Sequence, residues 1–171
     1  MDHLSAAARP PEAAAGDDKP ARMAQCRGMA PQEPAPPQTA SLDDLFAAAR
    51  AAQKAAYAPY SRFKVGAAIR TPDGAVFVGC NVENAAYPQG ACAEAGAIAA
   101  MVAAGRTRIA EILVLGDGDL LCTPCGGCRQ RIREFATALT PVHVAGPEGV
   151  RRRFTLEDLL PSSFGPDNLS A

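Results

Sequence analysis

From Leu42 onward, apolar residues recur at helical spacing: Leu42, Leu45, Phe46, Ala49, Ala52 and Ala56 share one face of a 3.6-residue helix. Ser41, with Asp44 three residues on, predicts a capped start, and Pro59 predicts the stop. Over residues 64–70 the period falls to two, with Val65, Ala67 and Ile69 alternating with their neighbours. Pro72-Asp73-Gly74 reads as a turn and residues 75–80 as the returning strand, which together predict a β-hairpin. Residues 92–104 are apolar on every side apart from Glu94, the pattern of a buried helix, and Gly105 closes it. Residues 111–115 form the continuous apolar run of a strand covered on both faces. A helix over 124–136 with Pro124 in its first turn, strands over 141–145 and 150–154, and a short final helix over 155–160 complete the chain. The alternation of elements predicts an α/β, three-layer domain: a central mixed sheet of about five strands with helices on both faces.

The first 40 residues follow a different pattern. They hold 11 Ala and 7 of the 15 Pro and no aromatic residue, whereas all nine aromatics lie between Phe46 and Phe164. Such a segment buries too little apolar surface to offset its ordering entropy. Residues 1–40 are therefore expected to be a disordered extension, and residues 41–171 the folded domain. Pro10, Pro11, Asp17 and Asp18 interrupt any signal-peptide core, and no run approaches the ~18–20 apolar residues of a membrane span. A cytoplasmic protein without a membrane partner is expected. A net charge of −1 argues against binding nucleic acid through bulk positive charge.

Six cysteines in such a chain point to metal or catalysis more than to disulfides. Cys125 and Cys128, three apart at a predicted helix start, share a face, and Cys92 opens the other apolar helix. Helix N-termini favour thiolates, the metal-binding form, and soft sulfur donors select zinc. Three donors leave a fourth position for water, as catalytic zinc sites do and closed structural sites do not. Glu94, two residues after Cys92 in an otherwise apolar helix, is costly to bury without a purpose. Beside a zinc-activated water it is placed to accept and return a proton.

Cys-Ala-Glu followed some thirty residues later by Pro-Cys-x-x-Cys is a zinc-deaminase signature. The chain resembles the short, single-domain cytidine deaminases from about Leu42 to Leu169. The likeness rests on five blocks in order: residues 57–67 (YAPYSRFKVGA), 79–87 (GCNVENAAY), 92–94 (CAE), 124–130 (PCGGCRQ) and 159–166 (LLPSSFGP). The resemblance implies hydrolytic deamination of cytidine and 2'-deoxycytidine to the uridines plus ammonia, in pyrimidine salvage. It implies one Zn2+ per subunit on Cys92, Cys125 and Cys128, with Glu94 as the proton shuttle. Asn81 and Glu83 match ribose-binding positions, Phe63 the aromatic against the base, and Ala93 a further substrate contact. Tyr87 and Phe164 match positions that reach toward a neighbouring subunit, and a homotetramer is implied. Many short members carry Arg directly after the catalytic Glu, where this chain has Ala95; Arg129 and the two helix starts are the expected compensation for the negative charge of three thiolates.

Two other readings remain open on the residues alone. One is a deaminase of a related aminonucleoside; the other is a structural zinc module, in which Cys80 or Cys122 would close the metal's shell. Cys122 also forms a second Cys-x-x-Cys with Cys125, in the manner of redox or iron–sulfur motifs, but a fourth well-spaced cysteine is missing. Cys26 and Cys80 read as isolated thiols, His143 as a core residue, Tyr57 and Tyr60 as framework, and Arg151, Arg152 and Arg153 as a solvated face.

Overall fold

The computed structural model describes residues 41–169, so the expectations for residues 1–40 and for Cys26 lie outside it. The first helix, α1 (Leu42–Lys54), starts as its sequence requires: Ser41 and Asp44 form a reciprocal capping box, worth about 1 kcal/mol. The hairpin follows as β1 (Val65–Arg70) and β2 (Val76–Cys80). After it come α2 (Ala93–Ala103), β3 (Glu111–Gly116), α3 (Gly126–Phe135), β4 (Pro141–Gly146), β5 (Gly149–Thr155) and α4 (Leu156–Leu159), with short 3-10 turns at Tyr87–Gln89 and Pro166–Asn168.

The five strands form one mixed sheet in the order β2-β1-β3-β4-β5. β1 runs antiparallel to both neighbours, β3 and β4 are parallel, and β5 returns antiparallel. Alternation along the central strands sends their apolar residues to two cores. Ala67, Ile69, Ile112 and Val114 pack with Ala97 and Met101 of α2, Ile132 of α3 and Leu156 of α4. Ala68, Leu113 and Leu115 pack on the other face with Leu45 and Ala49 of α1. Burying each large aliphatic side chain contributes roughly 1.5–3 kcal/mol, so the middle of the sheet is the stable platform of the molecule. The three-layer architecture expected from the sequence is the one observed.

The helix expected over 124–136 begins only at Gly126, because Cys125 takes an extended conformation and serves as its N-cap. The helix expected over 92–104 likewise has Cys92 as N-cap. That helix is not buried all round, since Ala99, Ala100, Val102 and Ala103 are exposed in the single chain. Ala93, Ala97, Ile98 and Met101 suffice to seat it, and small alanines leave its outer face apolar without demanding burial within the subunit. His143 is buried as expected, but it joins a charged network: its Nε2 lies 2.8 Å from Glu111 Oε2, while Arg70 Nε donates to Glu111 Oε1 at 2.7 Å. Burial pushes the Glu111 carboxyl up, yet Arg70 and His143 outweigh it and hold it below the usual value. Arg70 also donates to the Ser41 carbonyl at 2.7 Å, fastening the start of α1 to the sheet.

β2 and β3 both oppose β1, so they run parallel, and the crossovers β2-α2-β3 and β3-α3-β4 lay α2 and α3 side by side with their starts at the same end of the sheet. Ligands of open α/β sheets bind at that end, outside the carboxyl ends of the strands. The seating of α2 depends on Gly79: a side-chain carbon there would stand 2.3 Å from the Ala93 carbonyl oxygen and 2.4 Å from the Ala97 nitrogen, both backbone atoms. Gly79→Ala must therefore push α2, with Cys92 and Glu94, off the hairpin. The expected outcome is a loss of about 1–3 kcal/mol in denaturant unfolding together with reduced metal retention. Unchanged unfolding and metal content would contradict this packing.

Candidate active site

Two helix starts build the site. Cys92 and Cys125 are the N-caps of α2 and α3, and neither side chain caps its own helix, which leaves both sulfurs free to turn toward each other. Their Sγ atoms are 3.8 Å apart. Cys128 lies one turn into α3, fully buried, and the three sulfurs all fall within 4.8 Å of one another. Zinc–sulfur bonds of ~2.3 Å in a tetrahedron put sulfurs about 3.8 Å apart, so the donor set and its spacing fit one zinc ion. Among the described residues this is the one such group, and neither Cys80 nor Cys122 belongs to it. Burial pushes the Cys92 and Cys128 thiols up. At Cys125 burial acts upward too, but hydrogen bonds from the Cys128 backbone and from the Cys128 and Cys92 thiols outweigh it and lower the thiol.

Glu94 is the second residue of α2 and only 4% exposed. Burial raises its carboxyl above the ordinary value of 4.5, against the pull of hydrogen bonds and the Arg131 charge. It lines a cleft of about 280 Å³ together with Asn81, Glu83, Cys92, Ala93 and Cys125. A second concavity continues from it past Glu83 and Gly90 to Tyr60, Ser61 and Tyr87.

The segment carrying Asn81 and Glu83 is held as a small patch of backbone pairing. Val82 and Ala91 exchange two hydrogen bonds of 2.9 Å, and Tyr57 bonds to Asn81 and Glu83 on either side of Val82. Both predicted ribose contacts also have partners within the chain. Asn81 Oδ1 accepts from the Val65 N–H at 2.8 Å and its Nδ2 donates to the Phe63 carbonyl at 2.9 Å. Glu83 accepts from the Tyr60 and Ser61 backbone and from the Ser61 hydroxyl, which holds its carboxyl below the ordinary range. Arg62, with φ of 59°, makes the left-handed turn that leads from Ser61 to Phe63.

Phe63 is 40% exposed, its ring close to Gly116 and Gly118, and it is not among the residues lining the cleft. Tyr87 and Phe164 are 76% and 59% exposed, and the Tyr87 ring meets Tyr60 edge-on at 5.9 Å. Tyr57 and Tyr60 serve as framework through backbone hydrogen bonds, Tyr57 to Asn81 and Glu83 and Tyr60 to the Glu83 carboxylate, while their side chains are exposed. Arg129 does not reach the sulfurs by any hydrogen bond of its own. Its guanidinium donates to the Pro124 carbonyl (2.7 Å), the Leu159 carbonyl (2.9 Å) and Thr123 Oγ1 (3.1 Å), so it braces the loop that ends in Cys125. Val65, Cys122 and Thr123 also line the cleft, although no motif in the sequence marks them as site residues. Their placement depends on where the β1 and β3 ends meet α2, and only the proximity of Thr123 to Cys125 hinted at it.

A mixed α/β/α sheet with two helix starts presenting three thiols and a buried carboxylate beside an open cleft defines the class of zinc-dependent hydrolases. A family model described as the cytidine and deoxycytidylate deaminase zinc-binding region matches residues 40–144. A cytidine deaminase of Sporosarcina psychrophila is 38% identical over 129 residues, covering 75% of this chain and 95% of that protein. Among solved structures, a cytidine deaminase from Burkholderia pseudomallei is 44% identical with a TM-score of 0.70, over 73% of this chain and 100% of that one. A cytidine deaminase from Mycobacterium tuberculosis is 36% identical with a TM-score of 0.64, over 74% and 98%. The chain belongs to the cytidine and deoxycytidylate deaminase family, and more narrowly to its short cytidine deaminases.

Proposed function

We propose that this enzyme hydrolyses the exocyclic amine of cytidine and 2'-deoxycytidine, releasing ammonia and the corresponding uridines, as a cytoplasmic step of pyrimidine salvage. The observation that carries the reading is one buried carboxylate, Glu94, on the wall of a cleft whose metal-binding group has three sulfurs and, among the described residues, no fourth. A zinc ion held by Cys92, Cys125 and Cys128 would supply a Lewis acid and a water made nucleophilic at neutral pH. Glu94 does the proton work: its carboxylate accepts a proton from the attacking water and returns it to the ring nitrogen, then accepts the remaining hydroxyl proton and delivers it to the departing amine. Burial favours this role by bringing the carboxyl closer to neutral pH, where a group that takes and gives protons works best.

The rest of the chain binds and orients. Ala93, the first residue of α2, offers one of the unpaired backbone amides of a helix start to the base edge. Asn81 and Glu83 read the ribose hydroxyls, and Phe63 packs against the base. Tyr87 and Phe164, both exposed here, complete a neighbouring site in a homotetramer, and the exposed apolar face of α2 suits such an assembly. The substrate is a free nucleoside rather than a nucleic acid, in keeping with a net charge of −1. Among the described residues no helix is long and apolar enough to cross a membrane.

The direct test follows the ultraviolet absorbance of cytidine mixed with the purified chain, before and after treatment with a strong zinc chelator. We expect a steady fall in absorbance that the chelator abolishes and added zinc restores. No turnover by protein carrying one zinc per chain would move the assignment to a different aminonucleoside.

A further inference from the structure

The two side chains proposed to read the sugar are held in different ways. Asn81 is fixed at both ends of its amide, by the Val65 N–H and the Phe63 carbonyl. The Glu83 carboxylate is held unequally. Its Oε2 accepts two backbone amides, the Tyr60 N–H at 2.8 Å and the Ser61 N–H at 3.2 Å. Its Oε1 accepts, among the described residues, from the Ser61 hydroxyl alone. Two amides on one oxygen make a pivot; the partner of the other oxygen decides which way the carboxylate faces.

Ser61 meets Glu83 from outside the cleft. Glu83 lines both the cleft that holds Glu94 and the concavity that continues from it, whereas Ser61 lines only the second. An ionised carboxylate offers roughly four acceptor positions, and Tyr60 and Ser61 fill all but about one of them. The hydroxyl is itself oriented: its oxygen accepts the Phe63 N–H at 3.0 Å, which leaves its proton for Glu83. The left-handed turn at Arg62 brings the Phe63 amide back to Ser61 and so completes the chain of bonds.

We propose that Ser61 is a positioning residue for nucleoside binding, whose hydroxyl aims the Glu83 carboxylate at the sugar and so sets how strongly the protein favours ligands that carry sugar hydroxyls. The inference rests on the reading of this cleft as a nucleoside site with Glu83 at the sugar. Without the hydroxyl, Glu83 keeps its pivot and its charge but loses its direction. Phe63 keeps its place, because Asn81 Nδ2 holds its carbonyl independently at 2.9 Å. The loss therefore falls on sugar recognition and spares both the base and the chemical step.

Ser61→Ala is expected to raise KM for cytidine about five- to twentyfold with kcat within about twofold of the parent, the pattern of a binding interaction equally strong in ground and transition states. Ser61→Thr, which keeps a hydroxyl, is expected to restore most of the loss. The decisive readout is competitive inhibition by uridine and by 2',3'-dideoxyuridine, which share a base and differ only in two sugar hydroxyls. In the parent, uridine should bind the more tightly. In Ser61→Ala its inhibition constant should rise about as much as KM, while that of dideoxyuridine stays within about twofold. Equal weakening of both inhibitors would make Ser61 a general support of its loop and overturn the proposal, as would an unchanged constant for uridine. A parent that binds the two equally would take Glu83 away from the sugar, and this inference with it. A parent that binds neither and turns over no cytidine would overturn the nucleoside reading of the cleft itself.

Discussion

Glu94→Gln is expected to reduce kcat for cytidine by about 10²–10⁴-fold while the protein keeps one zinc per chain. The substitution preserves size and the capacity to hydrogen-bond but removes the ability to take up and release a proton. Glu94 is 4% exposed and sits at the second position of α2, so the amide fits where the carboxylate was. Among the described residues, the one other carboxylate on the cleft wall cannot stand in. Glu83, which shares the cleft wall, is held ionised by the Ser61 hydroxyl and by the Tyr60 and Ser61 amides, and its lowered carboxyl is a poor proton donor near neutrality. Steady-state kinetics with zinc analysis of the same sample separates the outcomes. Zinc content that falls together with activity would make Glu94 a structural support of the centre. Activity within tenfold of the parent would remove it from the mechanism.

The second large effect concerns the ligands. Cys128→Ala is expected to drop the zinc content below about a tenth of an ion per chain and to remove turnover, because two remaining thiolates and water bind zinc far more weakly than three thiolates. The fold itself should survive. Cys128 is fully buried, but Ile132, one turn further along α3, belongs to a core that spans the sheet and three helices, and removing one sulfur atom costs little packing beside the loss of the ion. Cys122→Ala is the control. Cys122 is half-buried on the cleft wall, its thiol pushed up to about 11 by burial and neighbouring negative charge, and it lies outside the sulfur cluster. Zinc retained in Cys122→Ala and lost in Cys128→Ala would establish a three-thiolate centre. Equal loss in both would indicate a closed four-sulfur site and an entirely structural metal.

The two predictions draw on different kinds of legibility. Cys-x-x-Cys at a helix start is a local pattern, readable because helical geometry alone decides that residues three apart share a face. That Cys92 joins them is not local. Thirty-two residues separate it from Cys125, and only the parallel relation of β2 and β3, each paired to β1, brings the two helix starts to one end of the sheet. The five blocks of family resemblance made that meeting expected. The physical cause is the order β2-β1-β3 and the close approach at Gly79.

Elsewhere the local pattern misled for identifiable reasons. The α2 segment looked buried on all sides because alanine counts as apolar, yet its outer face is open in the single chain. The helix expected from Pro124 starts at Gly126, because Cys125 is extended and leaves its sulfur free. Arg129, adjacent in sequence to Cys128, was expected at the thiolates. It turns instead to backbone carbonyls, since the end of α4 offers the Leu159 oxygen on that side of the helix.

Periodicity, capping residues and turn signals were enough, in the sequence by itself, to determine the order of helices and strands and the layered class. These depend on interactions between residues close in the chain, where backbone geometry leaves few alternatives. The tertiary structure alone decided that Arg129 braces the loop before Cys125, which walls complete the cleft, and that Asn81 and Glu83 are already bonded within the chain that positions them. Those outcomes turn on contacts between distant segments, whose directions are set by sheet order and by sub-ångström differences in packing that no local pattern encodes.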